Sequence, residues 1–173
     1  MDKDTLPKRK PTRLKNFDYF QNGAYFVTIC VKDKQKILWS ENRCNNVGAN
    51  CVRPPGNLPL SAFGNAVKDE IERINFVYSD IVKIDKYVVM PNHIHMIVVI
   101  DTYGRTQFAP TLSRVIKQFK GSITKQIGKS IFQKSFHDHI IRDQADYLKI
   151  WNYIETNPAK WQEDCFYNEQ KFI

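Results

Sequence analysis

The chain has 173 residues, of which 42% are hydrophobic, so it is long enough for one domain with a real core. Lysine and arginine outnumber aspartate and glutamate by 26 to 18, a net charge of +8, which points to a polyanionic partner such as nucleic acid. No apolar run approaches a membrane span, so no membrane partner is expected. The four cysteines, with no C-x-x-C spacing and no secretory signal before them, read as reduced thiols of a cytoplasmic protein.

Residues 1–16 form a basic arm that includes Arg9, Lys10, Arg13 and Lys15, free in solvent or tracking phosphates. After an Asn22-Gly23 turn, residues 24–32 read as a strand that is apolar on both faces and therefore central. Residues 40–60, rich in asparagine and proline, read as a loop without chemistry. A helix starts at Ser61, with Phe63, Val67, Ile71 and Ile74 near helical spacing.

Residues 87–100, YVVMPNHIHMIVVI, are the organising run. Their β-branched ends predict two buried strands, over 81–90 and 93–100, with Pro91 and Asn92 as turn formers between them. Alternate side chains share a strand face, so His93 and His95 point the same way while Ile94 points into the opposite layer. Two imidazoles on one rigid strand make a two-pronged seat for a divalent ion.

After a second loop over 102–110, Thr111 is placed to cap a helix through Ile127 with one apolar stripe. Lys117, Lys120 and Lys125 lie off the stripe, on a face that is either solvated or turned to phosphates. Residues 135–142 read as a further strand, and Asp143 caps a last helix expected to run to Asn157 and stop at Pro158. At about 100° per residue, Tyr147, Leu148, Ile150, Trp151 and Ile154 fall on its core arc. Tyr153 lies outside that arc, one turn before Asn157 on the same face. The order strand, helix, strand, strand, helix, strand, helix predicts an α+β fold: a ferredoxin-like, RRM-like antiparallel sheet with helices packed on it. A second H-x-H, His137 and His139, has the polar Asp138 in its middle and no cysteine nearby, and reads as structural or DNA-proximal rather than as a zinc site.

Four segments in this order, VVMPNHIHMIV, FKGSITKQI, SFHDHIIRD and YIETNPAKW, resemble the single-tyrosine transposases of the HUH superfamily, and within it the REP-associated tyrosine transposases. RLKNFDYFQNGAYFVTI resembles the family's opening strand, and together the matches cover most of the chain. The resemblance implies a single domain over 17–173 that nicks and rejoins single-stranded DNA at palindromic hairpins through a 5′-phosphotyrosine. It implies Tyr153 as nucleophile and His93 and His95 as ligands of Mg²⁺ or Mn²⁺. Asn157 stands where better-known insertion-sequence members carry a glutamine as third ligand, and is one methylene shorter. Hairpin DNA is the implied partner of a monomer or homodimer in the cytoplasm, associated with the nucleoid. The competing readings are a DNA-binding protein that kept the fold without catalysis, and a small metal-dependent nuclease without a covalent intermediate.

Overall fold

The computed structural model describes residues 22–40, 59–78, 81–101 and 110–167. The basic arm, with Arg9, Lys10, Arg13 and Lys15, and nearly all of both long loops lie outside the described residues. The elements are β1 (Gly23–Cys30), α1 (Ala62–Val77), β2 (Val82–Val89), β3 (His93–Ile100), α2 (Leu112–Ile127), β4 (His137–Ile141) and α3 (Gln144–Thr156). They build one antiparallel sheet in the order β2-β3-β1-β4, the expected ferredoxin-like arrangement. Among the described residues no helix is long and apolar enough to cross a membrane.

The sheet divides the molecule into two layers because strand side chains alternate. Tyr25, Val27, Ile29, Ile94, Met96 and Val98 face one side and form the main core with α1 and α2. Full burial of each such side chain contributes roughly 1.5–3 kcal/mol. The other face presents Phe26, Ile97 and Val88, which α3 covers with Ile150 and Ile154. β1 pairs on both edges and is apolar on both faces, as its composition predicts.

Local chemistry sets the helix starts. The Ser61 hydroxyl accepts from Gly64 N–H at 3.1 Å and donates to the Ile37 carbonyl at 2.6 Å, tying α1 to the segment after β1. Thr111 caps α2 through Arg114 N–H, and Gly128 ends it in the left-handed region at φ 81°. Asp143 caps α3 by accepting from Asp146 N–H at 2.8 Å.

One expectation for α3 is corrected. Leu148 is 56% exposed, because the packed stripe is the narrower set Tyr147, Ile150, Trp151 and Ile154. α3 ends at Thr156 with Asn157 as its C-cap, at the expected stop before Pro158, and 3-10 turns over Asn157–Glu163 follow. Proline is accommodated there because the first positions of a new helical segment need no amide donor. That continuation returns the chain to the face of the sheet that bears the histidines.

Candidate functional site

The Pro91-Asn92 turn is held by its own carbonyls. Pro91 C=O accepts from Leu38 N–H at 3.0 Å and Asn92 C=O from Val31 N–H at 2.8 Å. The Asn92 side chain goes further, donating to the carbonyls of Phe166 at 2.9 Å and Lys34 at 3.4 Å. The turn therefore fixes both the start of β3 and the segment after α3. His93 and His95 follow on the same face of β3, at 0% and 1% exposure.

Their hydrogen bonds fix the tautomer of His93 and leave two to His95. His93 Nδ1–H donates to Asn92 Oδ1 at 2.8 Å, which leaves the lone pair on Nε2. His95 Nδ1 lies 2.8 Å from the hydroxyl of Thr28, its cross-strand neighbour on β1. A hydroxyl both donates and accepts, so His95 has two tautomers open to it. With Thr28 donating, His95 Nε2–H donates to His93 Nε2 across 2.9 Å. With Thr28 accepting, both Nε2 lone pairs point into one space, the state a bound cation requires. Burial pushes His93 down to about 4. Burial, then the neighbouring His93, pushes His95 down to about 3. Both rings are thus neutral near pH 7, the form that ligates metal.

α3 brings Tyr153 onto this pair. Its hydroxyl lies 3.3 Å from His95 Nε2 and donates to Asp164 Oδ2 at 3.4 Å, with Phe26 packed edge-on to the ring. Burial, then the Asp164 carboxylate, pushes the phenol up to about 12. Asn157 is at the site and 4% exposed, with its amide N–H donating to Asp164 Oδ2 at 2.9 Å. Its Oδ1 is buried without a hydrogen-bond partner. A cavity of about 410 Å³ opens beside these groups, lined by Tyr153, Thr156, Asn157, Lys160, Glu163, Asp164 and Cys165.

Asp164 escaped the sequence reading. Its side chain is 1% exposed, 3.9 Å from His93 Nε2. Among the described residues His93, His95 and Asp164 are the His, Cys, Asp or Glu group whose ligand atoms converge, all within 4.8 Å of one another. Burial works to raise the Asp164 carboxyl, but Phe166 N–H, the Asn157 amide and the two histidines together hold it below the usual carboxylate range. Two neutral imidazoles, a carboxylate and an unpaired amide oxygen fit a divalent ion, and the nitrogen share favours Mn²⁺ over Mg²⁺. Thr28, Asn92 and Lys160 were also missed. The register of β1 against β3 points to Thr28 only once the pairing is known.

The remaining sequence candidates lie elsewhere. Lys117 and Lys125 are exposed on α2, across the sheet from the histidine pair. Lys120, on the same helix, is half-buried and donates to the carbonyls of Gln133 at 2.9 Å, Lys134 at 3.4 Å and Ser135 at 2.8 Å, which ties the loop before β4. His139 pairs with Asp146 at 2.7 Å, while His137 is exposed on β4.

Fold and site together define a small α+β domain with a histidine pair on one inner strand and a helix-borne tyrosine laid over it. No family model matches the chain. An uncharacterized protein of Haemophilus influenzae is 31% identical over 180 residues, 92% of this chain and 93% of that protein. A second H. influenzae protein, provisionally named a REP-associated tyrosine transposase, is 27% identical over 83% of this chain and 74% of its own length. The REP-associated tyrosine transposase of Escherichia coli is 35% identical over 79 residues, 45% of each chain. The structure of a REP-associated tyrosine transposase bound to a REP hairpin superposes with TM-score 0.58 at 23% identity, covering 86% of this chain and 74% of that one, and shares the fold. The chain is similar in sequence to REP-associated tyrosine transposases and shares the fold of one.

Proposed function

We propose that this protein cleaves and rejoins single-stranded DNA beside hairpins of the REP type, with Tyr153 as nucleophile and a divalent ion seated on His93 and His95. The observation that carries the reading is the Tyr153 hydroxyl, 3.3 Å from His95 Nε2 at the edge of an open cavity. A relative of the same fold bound to a REP hairpin supports the choice of substrate.

The residues divide the work. Tyr153 Oη attacks phosphorus, the 3′-oxygen leaves, and the 5′-phosphate stays on the tyrosine; one phosphate ester replaces another, so no nucleotide cofactor is needed. Before attack the phenol donates to Asp164 Oδ2, which orients it; the phenol loses its proton on attack and the departing 3′-oxygen takes one up, so the step is proton-neutral overall. A divalent ion held here would polarise the scissile phosphate and stabilise the leaving oxygen. Lys160, in the cavity wall, provides a cation for a neighbouring phosphate. The basic arm, with Arg9, Lys10, Arg13 and Lys15, and the exposed Lys117 and Lys125 supply further phosphate contacts. The arm and a single catalytic domain over 17–173 make up the chain, acting on nucleoid DNA in the cytoplasm.

The test is to incubate the protein with labelled hairpin oligonucleotides and Mn²⁺ or Mg²⁺ and then denature it. A denaturant-stable protein–DNA adduct is expected. Hydrolysis without adduct would make it a nuclease, and binding without cleavage a DNA-binding protein only.

A further inference from the structure

We propose that Asp164 is a metal ligand, completing the site with His93 and His95, and that Asn157 is a positioning residue that aims the carboxylate. The inference rests on the metal reading above and assigns the donor that the sequence left to Asn157.

The donor set is the first argument. The Asp164 side chain is 1% exposed, and its hydrogen-bond donors are Phe166 N–H at 2.7 Å, the Asn157 amide at 2.9 Å and the Tyr153 hydroxyl at 3.4 Å. All three are neutral. Among the described residues the basic group within 4 Å of it is the His93 imidazole, with Nε2 at 3.9 Å from Oδ2. A carboxylate oxygen and two imidazole nitrogens turned toward one another form a donor set that a divalent cation joins.

Geometry is the second. The three donor atoms lie within 4.8 Å of one another, a spread that one ion can bridge. The carboxylate sits in a turn anchored from both sides. Phe166 N–H caps Oδ1, and the Phe166 carbonyl accepts from Asn92, the residue that also orients His93.

The orientation of the amide is the third. Asn157 presents its N–H to Asp164 Oδ2 and keeps Oδ1 unpaired. Reversing the amide would set two oxygens against each other, so the hydrogen-bond network fixes the assignment. An asparagine spent in this way positions a ligand.

The experiment is Mn²⁺ titration of the full chain, following the loss of the free-ion electron paramagnetic resonance signal, with circular dichroism of the metal-free variants as the folding control. Asp164→Ala is expected to weaken Mn²⁺ by more than about 100-fold, and Asn157→Ala by about 10-fold, within the range for outer-shell partners. Asp164→Asn keeps the shape should alanine unfold the turn. It is expected to lose Mn²⁺ affinity far more than Zn²⁺ affinity, because two imidazoles alone still suit zinc. A folded Asp164→Asn with wild-type Mn²⁺ affinity, or an Asn157→Ala loss exceeding that of Asp164→Ala, overturns the assignment. Wild-type affinity in His93→Ala overturns instead the histidine site itself.

Discussion

The Tyr153 hydroxyl stands 3.3 Å from Nε2 of His95, a residue 58 positions earlier in the chain. Neither helix nor strand brings them together alone. The link is the packing of Ile150 and Ile154 on Ile97 and Phe26, which fixes the rotation of α3 about its axis and aims Tyr153 at the end of the histidine pair. Tyr147 reinforces the docking by donating its hydroxyl to Asp85 on β2.

Replacing Tyr153 with phenylalanine removes only the oxygen of that contact. Strand cleavage and adduct formation should fall by orders of magnitude, while hairpin affinity stays within about twofold, because the lost group acts in the transition state. Gel analysis of cleavage alongside a binding titration reads both. Adduct persisting in Tyr153→Phe would place the nucleophile elsewhere.

The buried histidines make the metal-free protein acid-sensitive. Unfolded imidazoles titrate near 6.5, whereas the folded ones are pushed down to about 4 and about 3. Between those limits the unfolded chain binds protons that the folded chain refuses, so stability falls as pH falls from 6.5 toward 4. Each ring contributes at most about 1.4 kcal/mol per pH unit. Urea unfolding in the presence of chelator should show the slope, and His95→Phe should flatten it. Equal slopes for the two proteins would contradict the burial argument.

Gly64 faces a backbone rather than a side chain. A Cβ there would meet the Leu38 carbonyl oxygen at 2.1 Å, where Ser61 stitches α1 to the strand side. Gly64→Ala should therefore destabilise the fold by about 1–3 kcal/mol or more despite the better helix propensity of alanine. Chemical denaturation checks this, and a gain in stability would mean the two backbones separate freely.

Deleting residues 1–15 tests the arm. Each phosphate contact on a single strand contributes a log–log salt slope of about −0.7. Truncation should weaken hairpin binding and flatten the slope by several such increments. An unchanged slope in fluorescence titrations at several salt concentrations would make the arm a solvated tail.

Local chemistry written in the sequence determined the elements and half of the site. Alternation in 93–100 put His93 and His95 on one face, Thr111 and Asp143 capped their helices, and helical phase set Tyr153 and Asn157 together off the core side of α3. These are short-range matters of period and hydrogen bonding, which a single stretch contains. The tertiary structure alone decided what meets across the layers. Thr28 reaches His95 only through the β1–β3 register, and Lys120 closes on three carbonyls only because the loop before β4 passes its end. Asp164 reaches the histidines only because the chain continues past Pro158 as 3-10 turns and folds back, a direction set by packing and by the Asn92 tie rather than by any local pattern.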